Sequence, residues 1–522
     1  LALDSFLTCS NLYHFACVTM ENKGVFPLLE SDDSNGQMLH MVSTLNSACR
    51  TKVVSIEKQI EWPQFPQFCP PSDPSAERVL FLVHNDADAS FLLELFAEFE
   101  RKKFYEAVFV ASEDVNISKL TKRNVKDCNI FAVQEKKWAS DGYAEWVAKW
   151  SEVLQLHAPL AIFSVEHHTK EPLNKAVIVA IKQLAKINLN IAWISIPQKD
   201  TSSASWIADL SPRALSNWNS PYFTISVAVE NASQSNLLEL LESLKNAHLY
   251  GARLPIDFFV ENTADNSVLR LVQNFTEDWA ENMEAQVKFR LLPGGKLRSV
   301  TELFYPSNMV HHFCITLTGF MKVSPMIFAW VKMGVLNYQY GTEGQFSKDL
   351  YGLSLSAMTS NCESANLSNS AKRRKVGVSN EGTMSQLSWD SKEVALPTVD
   401  AVFKHQMPCD AGMVLFPEYW AEFRAYLAAR LLEDHIVAEI GGSVTNQWRT
   451  TWQRFLTEMA FQSNYYLLYP NLKGREGFVV RGEGGGPLDS SPGLIEDAKM
   501  LRKLFGNEKD AERFNALGSR VL

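Results

Sequence analysis

The chain has 522 residues, of which 46% are hydrophobic and 21% are charged, and its formal net charge is −9. The length predicts two or three domains, and the composition is that of ordinary globular proteins. The negative charge argues against a partner nucleic acid, because binding through phosphate contacts needs a basic face. No apolar run approaches about 18 residues, so no transmembrane helix is predicted within this sequence.

The chain contains eight cysteines, and none of them forms a Cys-x-x-Cys pair. Zinc-ribbon and thioredoxin-like interpretations therefore have no support. The count alone leaves open both a partly disulfide-bonded lumenal chain and a fully reduced one. Sequons for N-glycosylation at Asn116, Asn231, Asn274 and Asn366 fit a lumenal protein. Because the sequence begins with Leu1 and not Met, we expect it to be a fragment, with any membrane anchor upstream.

The first part of the chain predicts an irregular lead-in followed by an α/β domain. Residues 1–75 end in a proline-rich run at 62–71, and proline at that density stops helices and central strands. From 76 to 200, short apolar strands alternate with amphipathic helices, which predicts a Rossmann-like parallel sheet covered on both faces. The predicted strands are 79–83, 107–111, 130–133, 160–165 and 191–196.

A connector rich in Ser and Asn, at 200–221, leads to a second α/β series at 220–475. Residues 357–396 within this series are rich in Ser and Asn and are predicted to form a flexible surface loop. Residues 476–522 are predicted to be a C-terminal tail with a helix near 494–506. The predicted fold class is α/β, with two Rossmann-like domains of parallel or mixed sheet. In the second series the predicted strands are 223–229, 256–260, 287–291 and 313–317, and a long helix is predicted at 324–336.

Four segments of the second series carry a family resemblance. Residues 405–423 read HQMPCDAGMVLFPEYWAEF and resemble the Pro-Cys-x-x-Gly-x-x-x-Phe-Pro-Glu-x-Trp-x-Glu-Phe signature of eukaryotic, fungal-type, family 2-like glycosyltransferases. Matches in the same order occur at Val323-Ser324-Pro325, at 351–355, and at 446–458 followed by 466–471. Together the matches cover about 220–475.

The resemblance implies a GT-A fold, which binds a nucleotide sugar at the carboxyl ends of its strands, as open α/β sheets generally bind ligands. It also implies a glycan or glycoprotein acceptor. Members of the family are typically type II membrane proteins of the Golgi or the ER lumen. In them a strand-end acidic motif holds a divalent cation, Mn²⁺ or Mg²⁺, which neutralises the diphosphate of the donor.

The sequence departs from the family at this acidic motif. Aligned on Ser324-Pro325, the family pattern apolar-Glu-Asp-Asp-apolar-Glu-Val-Ser-Pro should supply carboxylates from the end of the strand at 313–317. None of the aligned positions carries a carboxylate, and we therefore predict no metal ligands. The positions are Thr318, Gly319, Phe320 and Lys322.

Two functions remain open at this stage. In the first, the protein is a glycosyltransferase in which Lys322, together with Lys296 and Arg298, neutralises the diphosphate without a metal. In the second, it is a catalytically inactive relative that binds a partner or a glycan. An active site would bring one of these cations together with a carboxylate in a cleft, whereas Phe320 and Met321 would fill that cleft in an inactive protein.

Several other residues are assigned roles on the resemblance. Glu230 and Glu261 end predicted strands, where acidic groups would hydrogen-bond the base or ribose, although a helix cap or a solvated loop is the plain alternative. Lys296 and Arg298 follow a Pro-Gly-Gly turn that could approach a phosphate closely. An inverting transfer needs a general base. We expect that base to be Asp410 or Glu418, with Glu422 a further possibility, although carboxylates early in a helix also favour its dipole.

The first domain offers a third hypothesis, an α/β enzyme centred on residues 78–200. Asp86 and Asp88 follow the first strand with the spacing of a carboxylate pair suited to a metal. Asp is also a preferred helix N-cap, which is the plain alternative. This hypothesis requires Asp86, Asp88 and Glu166 to converge at one edge of the sheet.

Overall fold

A computed structural model describes the chain between residues 76 and 521 with gaps, and the predicted lead-in at 1–75 lies outside the described residues. Most of the loop predicted at 357–396 lies outside them too. The described residues are 76–112, 114–121, 125, 129–133, 143–166, 171–229, 234–261, 264–280, 284–290, 300–341, 348–358, 400–408, 412–432, 440, 445, 451–472, 477–481, 493–506, 512–514 and 520–521.

The first sheet is parallel and has helices in its strand connections. Its strands are β1 (Glu77–Val83), β2 (Tyr105–Ala111), β3 (Ile130–Ala132), β4 (Ala161–Val165) and β5 (Ala192–Ile196). They lie in the order β3-β2-β1-β4-β5. The helices are α1 (Asp86–Glu100), α2 (Ile117–Thr121), α3 (Tyr143–His157) and α4 (Pro172–Ala185). The prediction of a parallel, Rossmann-like sheet in this region is confirmed.

The middle strands of this sheet are mostly apolar because both of their faces are covered. On β1, Phe81 stacks on Phe163 of β4 with ring centroids 4.8 Å apart, and it also packs against Phe109 of β2. All three rings are fully buried. Runs of consecutive apolar residues in the sequence therefore predicted these strands correctly.

A run of 3₁₀ turns, Gln198–Asp209, and a short helix, α5 (Pro212–Ser216), lead to the second region. That region has twelve strands and six helices among the described residues. The strands are β6 (Tyr222–Val229), β7 (Ile256–Glu261), β8 (Ala285–Arg290), β9 (His312–Thr318), β10 (Met321–Val323), β11 (Leu350–Ser354), β12 (Ala401–His405), β13 (Met413–Leu415), β14 (Tyr466–Asn471), β15 (Val479–Arg481), β16 (Arg513–Phe514) and β17 (Arg520–Val521). The helices are α6 (Gln234–Lys245), α7 (Asn266–Ala280), α8 (Ile327–Tyr340), α9 (Pro417–Leu431), α10 (Trp452–Ser463) and α11 (Ala498–Gly506).

Ten of these strands form one mixed sheet in the order β17-β16-β12-β14-β11-β13-β9-β6-β7-β8. Strands β6, β7, β8 and β9 are parallel to one another, and β13 runs antiparallel to β9. Strands β10 and β15 form a separate antiparallel pair. The predicted C-terminal tail therefore contributes strands that pair with distant parts of the chain, which its local sequence did not predict.

The two sheets belong to one compact unit, residues 68–522. Arg502 of α11 bonds Asp209 in the 3₁₀ run and Glu98 of α1, so the last helix is fastened to the first sheet. Lys102 pairs with the same Asp209. The predicted helix at 324–336 begins later than expected, at Ile327, because Ser324 precedes Pro325 and a residue before proline is disfavoured from helical backbone angles.

Candidate functional site

The strand order reverses between β6 and β9, which are neighbours although β7 and β8 separate them in the sequence. In open α/β sheets such a reversal leaves a crevice at the carboxyl ends of the strands, where ligands bind. The described residues at this edge include Val229, Glu261, Arg290 and Thr318, which end β6, β7, β8 and β9. We call this edge the switch-point edge.

Met321 fills the space directly beyond β9. Its side chain is 1% exposed, and its sulfur accepts a hydrogen bond from the N–H of Thr318 at 3.3 Å. A methyl group added at Gly412, just before β13, would lie 3.3 Å from the Met321 methyl carbon. A thioether is a weak acceptor and a poor ligand for Mg²⁺ or Mn²⁺, which prefer oxygen. The residues that stand in place of the acidic motif do not fit a divalent cation.

Lys322 is exposed on β10, opposite Val480 of β15. Within the described residues it has no carboxylate partner. Phe320 is half-buried in the turn between β9 and β10. Met321 is therefore packed as predicted for an inactive protein. The Lys322 side chain, however, remains accessible to solvent beside it.

Glu261 and Arg290 lie side by side at the ends of β7 and β8, where the two residues are in register. Arg290 is buried, and its Nε lies 3.5 Å from a carboxylate oxygen of Glu302. The sequence analysis predicted Glu261 at this edge but missed Arg290. The predicted strand at 287–291 ran past Arg290, whereas β8 ends at Arg290, so the sequence did not indicate that this residue ends a strand as Glu261 does.

Four of the predicted site residues, Glu230, Lys296, Arg298 and Asp410, lie outside the described residues. Described neighbours in the sequence nevertheless reach the switch-point edge. Val229 ends β6, and Gly412 contacts Met321. These four assignments stay predictions.

Glu418 and Glu422 are not brought together with Lys322. They lie in the first turns of α9, which follows the carboxyl end of β13. Because β13 is antiparallel to β9, that end lies at the opposite edge of the sheet, where the Phe416 N–H bonds the carbonyl of Tyr351 at the start of β11. Partial burial, and then the neighbouring Glu422 carboxylate, raise the pKa of Glu418. The structure therefore gives no support to Glu418 as a base acting at the switch-point edge.

Most described residues of the family-like segments have packing roles. Phe416, Trp420 and Phe423 are fully buried between α9 and the sheet. Ser324 is fully buried as well, and its hydroxyl accepts from the Met326 N–H and donates to the carbonyl of Ile495. These residues therefore stabilise the fold by packing and by hydrogen bonds to the backbone.

The first sheet has its own reversal, between β1 and β4, and Asp86, Asp88 and Glu166 follow these two strands at its carboxyl edge. However, Asp88 is buried and accepts the His84 N–H at 3.1 Å, while Asp86 pairs with Lys119. Asn85, and not either aspartate, caps α1. Structural partners thus account for both carboxylates, although the N-cap role predicted for an aspartate belongs to Asn85.

A metal-binding cluster and a membrane-spanning helix are both absent from the part of the chain that the structure describes. No group of three or more His, Cys, Asp or Glu side chains there could hold a metal ion. No helix among the described residues is long and apolar enough to cross a membrane.

Comparison with known proteins gives one family match and distant structural neighbours. A family model described as the SPBC1E8.03c N-terminal domain matches residues 69–218, the part that contains the first sheet. No curated protein matches the chain.

Solved structures similar to this chain include sugar-nucleotide epimerases and glycosyltransferases. One of them is described as a UDP-N-acetylglucosamine 2-epimerase from Listeria monocytogenes. It is 9% identical to this chain, the match covers 41% of this chain and 69% of that chain, and the TM-score is 0.18. A glycosyltransferase from Rickettsia africae is 9% identical, with 44% and 72% covered and a TM-score of 0.17. The lipopolysaccharide galactosyltransferase WaaB is 10% identical, with 41% and 68% covered and a TM-score of 0.17. TM-scores this low do not establish a shared fold or a shared function.

Proposed function

We propose that the chain is a glycosyltransferase-like protein that binds a nucleotide sugar, without a metal ion, at the switch-point edge of a GT-A-like sheet. The observation that carries this proposal is the order β8-β7-β6-β9, because a ligand crevice is expected where the strand order reverses, beside the strand-end segment 318–322 of the family-like motif. Lys322 stands there in place of a carboxylate, so the diphosphate would meet a cationic side chain and no metal ion.

The residues of this edge suit a displacement at the anomeric carbon of the donor sugar. Lys322, with Lys296 and Arg298, would stabilise the negative charge that develops on the departing diphosphate. Asp410, two residues before Gly412, would accept the proton of the acceptor hydroxyl. Glu261 and Arg290 would hydrogen-bond the nucleoside. The acceptor we propose is a glycan or glycoprotein in the Golgi or the ER lumen, with a membrane anchor upstream of this sequence.

A second function is favoured by one specific contact. Met321 packs between β9 and β13, and none of the aligned positions beside it carries the carboxylate with which the resembled family holds its cation. An inactive relative that serves as a scaffold or binding protein would need nothing more from this edge. Under either function, we propose that the first sheet at 76–200 is an accessory domain.

Calorimetric titration with UDP-sugars and GDP-sugars, with and without Mn²⁺, tests the proposal. We expect binding that does not depend on Mn²⁺ and that weakens roughly tenfold or more in Lys322→Ala, because a charge-assisted contact contributes about 1.5–3 kcal/mol. Lys348→Ala is the matched control. Lys348 is also exposed, but it precedes β11 at the opposite edge of the sheet.

The three other outcomes separate the alternatives. Binding that requires Mn²⁺ would contradict the metal-free site. Equal losses of binding affinity in the Lys322 and Lys348 variants would indicate that the ligand binds away from the switch-point edge. Absence of binding to any sugar nucleotide would contradict the proposed transferase and favour the scaffold.

A further inference from the structure

The middle of α8 carries a lysine in surroundings that otherwise suit an apolar residue. Lys332 is 4% exposed, and nearly every other residue of α8 is buried as well. A charged amine at such a position costs free energy unless hydrogen bonds and opposite charges compensate it.

The compensation available to Lys332 is small. Its Nζ donates to the carbonyl of Trp218 at 2.6 Å, which is its one hydrogen bond within the described residues. The rings of Trp218 and Phe223 lie 4.7 and 5.4 Å from Nζ, so their faces contribute a cation–π attraction. Trp218 belongs to the connector of residues 212–221, which joins the two sheets and starts with α5.

Among the described residues of the neighbouring elements, none supplies a negative charge to the amine. The titratable residues on α5, β6 and α8 are Arg213, Tyr222, Tyr338 and Tyr340, and burial alone lowers the pKa of Lys332, to about 7. Burial without a carboxylate partner among the described residues disfavours the charged form of the amine, and the Trp218 carbonyl and the two rings offset only part of that cost.

We propose that Lys332 is a proton-sensitive anchor, whose neutral amine keeps the connector at 212–221 docked on α8 and whose protonation loosens it. The proposal does not depend on the function of the switch-point edge. It assigns a conformational role to a residue that no proposed chemistry uses.

The direction of the pH dependence follows from proton linkage. The pKa of Lys332 is lower when the connector is docked than in the solvated chain, where it is near its ordinary value of 10.5. The open state therefore binds more protons between about pH 7 and 10, so docking strengthens as the pH rises through that window. Below about pH 7 the lysine is charged in both states, and the penalty on docking is complete and constant.

Hydrogen exchange of the connector tests this anchor. After correction for intrinsic exchange rates, protection of the amides at 213–220 is expected to be roughly tenfold or more higher at pH 8.5 than at pH 6. In Lys332→Met, which keeps the volume but removes the titrating group, this difference should disappear. Lys245→Met, at an exposed lysine of α6, should retain the wild-type difference.

Equal protection at the two pH values, or an unchanged difference in Lys332→Met, would overturn the proposal. A second measurement avoids any dependence on the folding of the variant. NMR titration of the Lys332 side chain in the wild-type protein should give a midpoint near neutrality, and a midpoint above about 10 would also overturn it.

Discussion

Replacing Glu458 with glutamine is expected to lower the free energy of unfolding by about 3–5 kcal/mol. Glu458 lies on α10, is completely buried, and bonds two arginines. Its Oε2 accepts from Arg430 of α9 at 3.2 Å, and its Oε1 accepts from Arg454 at 2.9 Å. Both guanidinium groups are nearly inaccessible to solvent. Glutamine keeps the shape of the side chain but removes the negative charge that two buried cations share, so their desolvation is no longer offset.

The loss is measured by urea unfolding followed by circular dichroism, with Glu145→Gln as the control. Glu145 of α3 forms a more exposed pair with Lys149, and such pairs contribute only about 0–1 kcal/mol. A loss of less than about 1 kcal/mol in Glu458→Gln would mean that other groups neutralise the two arginines without help from Glu458.

The α/β architecture could be predicted from the sequence because strands covered on both faces are continuous apolar runs. Phe81, Phe109 and Phe163 lie in three such runs and pack together in the structure. Pairing between distant strands could not be predicted in this way. Strand β16, at 513–514, adds to the edge of β12 near residue 404, and nothing in its two residues indicates that partner.

The candidate site could be predicted only in part, because strand direction decides which side chains share an edge. Glu261 ends β7, and Glu418 lies shortly after the end of β13 in the sequence. However, β13 runs antiparallel to β9, and so Glu418 lies at the edge opposite Lys322. The packing of Met321 into the space beyond β9 likewise depends on Gly412, about 90 residues away, and not on local sequence.

The family-like segments illustrate the same limit from the other side. Trp420 and Ser324 match the resembled pattern, and both are buried in packing or backbone contacts. A match at such residues reports on how the chain packs. A proposal about function has to rest on the positions at which this chain differs from the resembled family, which lie within residues 318–322.

Gly251→Ala is expected to be the most damaging small change in the loop between α6 and β7. Gly251 has a φ of +76°, a conformation that costs L-residues about 1–2 kcal/mol, and an added Cβ would lie 1.9 Å from the carbonyl oxygen of Ser195 in β5. The loop is held on the first sheet by Asp200, which accepts the N–H groups of Leu249 and Tyr250 at 3.1 and 2.8 Å. Because the methyl group would push the loop off β5, we expect a total loss of roughly 3 kcal/mol or more.

Two variants and one local measurement separate the contact from the backbone conformation. Asparagine tolerates the left-handed region but also carries a Cβ, so Gly251→Asn should be nearly as unstable in urea as Gly251→Ala if the contact with Ser195 dominates. Recovery of most of the stability in Gly251→Asn would show that the contact had been overestimated. Hydrogen exchange at Leu249 and Tyr250 should accelerate in both variants, because their amides bond Asp200 only while the loop stays against the end of β5. Unchanged protection of these two amides would contradict the role assigned to Gly251 in joining the second region to the first sheet.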